Sequence, residues 1–435
     1  MPRQMRRLFL EPDEIGVWLR PHGVHEEWQD LGLGLLVTLA QGAGFPFDTL
    51  SLKSLHSWAE WRSVARSYDL ICMNVRSWRF PWAKRAAEIA KATNPNILVW
   101  VGGIHTSAAL PEMEAVPQFD MIVKGYGEAA FPCMLKVLTI TGGRKVQNNL
   151  LFESRTVRFG DRIELDSLPF IDREIMPRGT VSWPLEGPAG WAEGKTATII
   201  TGRGCPYRCA FCASERAHFG PPRRRSVDNV LEELNWIDGK WGPIGSVVFH
   251  DSLFLMNRPW LEEFAEKYPR KTMGWPFWAS ARPDLIRKWP ELFSALVEDA
   301  GWRAVSVGFE SGSDNVLRIL GKGTTVEDNE FAIELINRVG DSMEARGQMR
   351  PLVYANFMLA IPGETEDDAR ATVAMSRTIR NAIPGLSLYT PYPGTSLGDR
   401  IRAEGNAIGE PGAFSEVRPK VRGIDYAFYE RLLAQ

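Results

Sequence analysis

A chain of 435 residues, 44% of them hydrophobic, is long enough to bury the cores of two or three domains. Its formal net charge of -2 lacks the basic excess that neutralising a phosphate backbone demands, so nucleic acid is not an expected partner. No run reaches the roughly 18 apolar residues of a membrane span, and Met1 to Leu10, with Arg3, Arg6 and Arg7, has no apolar stretch long enough for a signal peptide, so a cytoplasmic protein is expected.

From the amino terminus, short apolar runs alternate with helical spacing. Residues 8 to 11, 69 to 73, 97 to 101 and 121 to 123 read as strands, and 31 to 41 and 82 to 93 as helices with apolar residues on one face. That rhythm implies a parallel, doubly wound α/β sheet, expected over residues 1–150. Residues 151–190, rich in Pro, Gly and Arg, read as a linker. Alternation resumes with strands at 196 to 201, 245 to 250, 276 to 280, 304 to 308, 354 to 360 and 387 to 390. Six such units suggest a partial (β/α)6 barrel over residues 191–400, with 401–435 as a short C-terminal extension. In a parallel barrel, functional groups gather where strands end and loops begin.

Directly after the first of those six strands comes GRGCPYRCAFCAS, with thiols at Cys205, Cys209 and Cys212. Soft thiolates select iron-sulfur clusters or zinc. Structural zinc usually takes four protein ligands in two pairs, whereas three cysteines on one loop cap three corners of a cubane and leave one iron open to a cofactor. A zinc reading needs its fourth ligand from His218, Cys72 or Cys133, none of which stands at metal-finger spacing. Cys72 and Cys133 sit in apolar settings and read as inert, buried residues.

The C-x-x-x-C-x-x-C spacing, with Phe211 just before the last cysteine, resembles the signature of the radical S-adenosylmethionine (SAM) superfamily, and the resemblance covers about 195 to 400. It implies that His250-Asp251-Ser252 meets the methionine amino group, with Asp251 as acceptor. It implies too that Gly308 to Ser313 contacts ribose and carboxylate through Glu310 and Ser311. Ala360 to Thr365 would flank adenine with exposed backbone at Ile361 and Gly363, and Pro391 and Tyr392 follow the sixth strand. Arg282, after the third strand, is a candidate fork donor to the methionine carboxylate, with a surface ion pair as the alternative. Glu215, His218, His250 and Tyr392 are candidate acid or base groups by position.

In the first domain, Asp30 to Leu36, Gly102 to Thr106 and Gly125 to Glu128 resemble the cobalamin-binding domain that precedes the barrel in one large branch of that superfamily. There, glycines let backbone approach the corrin and its nucleotide tail. No D-x-H-x-x-G occurs, so a lower histidine ligand to cobalt is not indicated, and His105 reads as a packed histidine. Arg76, Trp78, Arg79, Phe80 and Trp82 are large where the nucleotide tail should pass. On that bulk the reading leans to cobalamin-independent dehydration or deoxygenation of an amino sugar, resembling the aminoglycoside diol-dehydrating deoxygenases. The alternative is cobalamin-dependent radical C-methylation in natural-product biosynthesis, and cobalamin binding stays open. Both readings imply a 4Fe-4S cluster, SAM, a small-molecule substrate, and an external electron donor of the flavodoxin or ferredoxin type or a pathway reductase. Neither implies nucleic acid or a membrane.

Overall fold

The computed structural model describes residues 5–15, 30–140, 155–159, 163–176, 195–213, 220–409 and 420–434. The chain divides into two compact units, Met1–Thr180 with Tyr392–Gly394 and Gly409–Pro419, and Val181–Pro391 with Thr395–Ile408 and Lys420–Gln435.

In the first unit, β1 (Arg7–Glu11), β2 (Asp48–Ser51), β3 (Leu70–Asn74), β4 (Leu98–Gly102), β5 (Met121–Gly125) and β6 (Thr156–Phe159) form one sheet. Its order is β2-β1-β3-β4-β5-β6 and every pair is parallel. Strand alternation sends successive residues to opposite faces. Leu8, Leu10, Ile71, Met73, Val99 and Val101 join a core with Trp61 and the alanines of the helix Phe80–Thr93. Phe9, Leu70, Cys72, Leu98 and Trp100 join a second core with Leu33 and Val37 of the helix Leu31–Gly42 and Phe131 and Met134 of the helix Ala130–Ile140. Strand order reverses at β1, the topology that opens a crevice beyond the carboxyl ends of the strands. Two strands escape the sequence reading, and both lie at sheet edges: β2, with the weakly apolar sequence DTLS, and β6, inside the stretch read as linker.

In the second unit, β7 (Lys195–Ile199) is followed by a short antiparallel ladder of β8 (Gly202–Arg203) and β9 (Arg223–Arg224). Then come β10 (Ile244–Phe249), β11 (Phe277–Ala281), β12 (Trp302–Glu310), β13 (Leu352–Leu359) and β14 (Ala382–Leu388). The six long strands are parallel and stand in chain order, β7-β10-β11-β12-β13-β14, so the sheet winds in one direction as part of a barrel. Helices Val227–Trp241, Arg258–Lys271, Pro290–Glu298 and Val326–Ala345 contribute Val230, Leu234, Phe264, Leu296 and Ile336 to a core with Phe249, Phe277, Val305 and Phe357. Ser226, Asn257, Thr325 and Thr365 cap their helices with side-chain oxygens, the last two in reciprocal capping boxes with Asp328 and Asp368. β14 begins well before the apolar run that marked it, because an edge strand tolerates Pro384. No helix among the described residues is long and apolar enough to cross a membrane.

Candidate active site

The cysteine loop leaves β7 under the control of Asp251, which follows β10. Its carboxylate accepts from the backbone N–H of Thr201 at 2.7 Å and of Gly202 at 3.2 Å, from the Thr201 hydroxyl, and from Arg224 Nη2 at 3.0 Å. With both oxygens engaged, Asp251 positions the loop entry, whereas the sequence reading gives it the methionine amino group. Arg224 lies over Trp260 at 4.2 Å and donates to the Phe254 carbonyl at 2.8 Å, which anchors the β8–β9 ladder to the barrel. Gly204 has φ +88, and a Cβ there would come within 3.1 Å of the Pro222 backbone, so the turn into Cys205 requires glycine. Further along, the Ala210 N–H donates to Leu320 O at 2.7 Å and its carbonyl accepts from Leu397 N–H at 2.8 Å. Phe211 packs with Val316, Leu320, Ile361 and Tyr389, so Ile361 supports the loop from the β13 end.

Two cations flank the thiols. Arg282, after β11 and almost fully buried, donates from Nη1 to Cys209 Sγ at 3.5 Å, from Nε to Asp284 Oδ1 at 2.9 Å and from Nη2 to Lys322 O at 2.7 Å. Its guanidinium also covers the Tyr207 ring, 3.5 Å from the centroid. These partners engage Nε and both Nη atoms of the guanidinium. Lys322 is likewise buried and donates to Glu310 Oε1 at 2.9 Å. Glu310 ends β12 at φ +69, and a Cβ at Gly308 would meet its Oε1 at 2.5 Å. Such left-handed backbone on a non-glycine residue costs free energy and is held by its surroundings. Ala360, at φ +62, repeats the feature after β13; its N–H donates to Glu364 Oε2 at 2.7 Å. Burial pushes Glu364 up to about 7 against the opposing hydrogen bond from Tyr429. Gly363 has φ +91, and Ser311 shares a hydrogen bond with the Thr372 hydroxyl at 2.9 Å inside the barrel wall.

Lys322, Tyr207 and Glu364 carry no mark in the sequence reading as site residues. Lys322 sits in a turn after a short helix, where no periodicity points inward. Of the candidate acid and base groups, Glu215 and His218 lie outside the described residues. His250 is half-buried with its ring 6.3 Å from that of Trp278, and Ser252 is exposed. Pro391 groups with the barrel and Tyr392 with the first unit.

The donor set fits an iron-sulfur cluster. Burial, with the neighbouring Cys209, raises Cys205, and although Cys212 keeps an exposed face, loss of water at its sulfur with Cys209, Cys205 and Glu310 nearby holds it up at about 12. Thiols so placed hold their protons until a cationic group takes the sulfurs as thiolates. A single structural zinc ion needs four protein donors, and the loop supplies three, Cys205, Cys209 and Cys212.

In the first unit a cleft of about 490 Å³, open solvent included, lies at the carboxyl ends of β3, β4 and β5. Phe9, Leu36, Cys72, Trp100, Phe131 and Met134 give it apolar walls, and Gly102, Gly103, Gly125 and Gly127 line it with bare backbone. Gly103 has φ +102, and a Cβ there would lie 2.2 Å from Asn74 Oδ1; at Gly127 it would lie 3.2 Å from Leu36. The large residues expected to fill this space do not line it. Arg79 is buried in ion pairs with Glu11 at 2.6 Å, Asp13 at 3.1 Å and Asp30 at 3.3 Å. Phe80 packs on the opposite core, 4.7 Å from the His105 ring, Trp82 stacks on Trp58, and Arg76 lies over Trp78. The bulk of residues 76–82 therefore gives no reason to exclude a nucleotide tail, which corrects the sequence argument. Burial alone would raise Asp30, but Arg76 and Arg79, with hydrogen bonds from the Leu33 N–H and the Asn74 amide, together hold the carboxyl below its ordinary value. His105 is a packed residue as read, with Nδ1 3.1 Å from Ser77 Oγ and Nε2 3.7 Å from Glu112.

Residues 199–375 match the Radical SAM superfamily and residues 23–135 match the B12 binding domain. The chain thus carries a Radical SAM domain preceded by a B12 binding domain, and the former implies a 4Fe-4S cluster and SAM as cofactors. An uncharacterized methyltransferase of Pyrococcus horikoshii is 27% identical over 325 residues, 72% of this chain and 65% of the relative. The anaerobic magnesium-protoporphyrin IX monomethyl ester cyclase of Rubrivivax gelatinosus is 27% identical over 338 residues, 73% of this chain and 56% of the relative. The chain thus spans between about half and two thirds of the length of these curated relatives. Among solved structures, the radical S-adenosylmethionine methyltransferase TsrM from Kitasatospora setae, with tryptophan substrate and SAM analog bound, shares the fold. Its TM-score is 0.63 at 20% identity, over 92% of this chain and 76% of that one.

Proposed function

We propose that the protein is a cobalamin-dependent radical SAM methyltransferase acting on a small molecule, drawing electrons from an external donor of the flavodoxin or ferredoxin type. The observation that carries this reading is the cleft in the first unit, apolar and glycine-lined, with the bulky 76–82 segment packed elsewhere. The lean toward dehydration of an amino sugar rested on that segment and falls with it. When bound, the cluster and SAM supply one-electron cleavage of the sulfonium, and cobalamin supplies a transferable methyl group.

The chain's own residues bind, orient and exclude water. Gly102, Gly103 and Gly127 keep backbone accessible to a large planar ligand, and Trp100, Phe131 and Met134 offer its nucleotide tail a dry wall. Asp251 and Arg224 fix the loop bearing Cys205, Cys209 and Cys212. Glu310 at the end of β12 and its partner Lys322, with Ile361 and Gly363 after β13, are the groups for SAM's ribose, carboxylate and adenine. The 1–150 region would carry cobalamin and 191–400 the radical chemistry. The name of the Pyrococcus relative supports methyl transfer, while that of the Rubrivivax relative shows a second outcome on similar sequence, so product analysis decides.

The test is anaerobic incubation of protein reconstituted with iron, sulfide and hydroxocobalamin, with SAM, reductant and candidate small molecules. S-adenosylhomocysteine forming beside 5'-deoxyadenosine is the expected result; the nucleoside alone, with an unmethylated product, would reject methyl transfer.

A further inference from the structure

Arg282 is the most constrained cation near the cysteine loop. It is 5% exposed, and its contacts run to four different groups: Asp284 at 2.9 Å, Lys322 O at 2.7 Å, the Tyr207 ring at 3.5 Å and Cys209 Sγ at 3.5 Å. Tyr207 and Asp284 are themselves joined, the phenol donating to Asp284 Oδ2 at 2.9 Å. Tyr207 lies between Cys205 and Cys209, so the loop and the guanidinium are locked together by a stacking contact, an ion pair and a hydrogen bond to a ligand sulfur.

From this geometry we propose that Arg282 is a positioning residue that raises the reduction potential of the cluster held by Cys205, Cys209 and Cys212, acting through the Cys209 sulfur. The proposal rests on the iron-sulfur reading of the loop and is independent of methyl transfer. One-electron reduction of a cluster adds a negative charge to its sulfurs, so a fixed cation donating to a ligand sulfur stabilises the reduced form more than the oxidised one. Burial strengthens the effect by removing the water that would screen it. Arginine suits the task because its guanidinium stays protonated at any working pH, and because a planar fork can stack on Tyr207 while donating along three edges. Asp284 partly neutralises that charge, so the potential is set by the balance of the pair. A raised potential brings the cluster within reach of a weak external reductant, which is where the residue bears on the reaction.

The measurement is a redox titration of the reconstituted cluster followed by electron paramagnetic resonance, without SAM, on the wild type and on Arg282→Gln, Arg282→Lys and Asp284→Asn, with iron and sulfide quantified in each. Arg282→Gln is expected to hold a cluster at lower potential and Arg282→Lys to fall between it and the wild type. Asp284→Asn is expected to shift the potential upward, because the guanidinium then acts without its counter-anion. An unchanged potential in Arg282→Gln with full iron content overturns the proposal, as does an unchanged or lowered potential in Asp284→Asn. Should Arg282→Gln hold no iron, the direction of the Asp284→Asn shift decides alone; failure of all three variants to hold iron would reduce Arg282 to a structural tie and overturn the proposal too. Absence of methyl transfer by the wild type, with the potential shifts of the variants as expected, would reject the methyltransferase reading and leave this one standing.

Discussion

In the first unit the cleft edge of the sheet is defined by atoms that are missing: four glycines at and just beyond the ends of β4 and β5 leave backbone bare between apolar walls, and Phe80 of the bulky 76–82 segment packs on the other face. In the barrel the corresponding edge is crowded, with Asp251, Arg224, Arg282, Lys322 and Glu310 cross-linking the cysteine loop to neighbouring strand ends. An edge that must admit a large preformed ligand is sensitive to added atoms. One that must hold three sulfurs in register is sensitive to removed ones. Substitutions of opposite kind should therefore separate the two regions.

The largest effect is expected from Cys209→Ala, which should abolish cluster formation and 5'-deoxyadenosine production together, read by iron and sulfide content and by chromatography; retention of either would break the assignment of the loop. Asp251→Ala comes next. It leaves Arg224 buried without its carboxylate, and breaking such a pair costs about 3–5 kcal/mol, so the barrel's denaturant midpoint should fall while cobalamin uptake by the first unit persists. Conversely, Gly103→Val adds a side chain at φ +102 against Asn74 and Val75, a strain of roughly 1–3 kcal/mol before the clash is counted. It should cut hydroxocobalamin occupancy at least tenfold with the cluster spectrum unchanged; normal uptake would show that the cleft is not the site.

The smallest effect concerns Glu364, raised by burial to about 7 from an ordinary 4.5. The native state keeps this proton longer than the unfolded chain does, so the stability it contributes is complete below pH 4.5 and is lost as pH rises through 7. Glu364→Gln should flatten the decline in melting temperature across that window, and an unaltered slope would show that the carboxyl is not the titrating group.

Much of this could be read from the chain because strand ends and thiol spacing are one-dimensional signals. Three cysteines in eight positions announce a polynuclear site, and the polar segments after β10, β12 and β13 fall where a barrel presents its residues. What failed was the direction of side chains. Residues 76–82 are bulky, but a run of seven residues turning from a strand into a helix does not declare which face of the sheet it will cover; Phe80 joining the core of Leu8 and Val99 decided that. Arg282 and Asp251 read as cofactor contacts because both end barrel strands, yet their partners, Lys322 O and the Thr201 N–H, are forty and fifty residues away in sequence. Edge strands β2 and β6 lack an apolar run because an edge strand need not bury both faces.

The most direct test of the central claim, that the first unit takes cobalamin, is to reconstitute the protein anaerobically with iron and sulfide, add hydroxocobalamin, remove excess by gel filtration and record the spectrum. One corrinoid per chain beside a full cluster is the predicted result. A filled cluster with no retained corrinoid would contradict it.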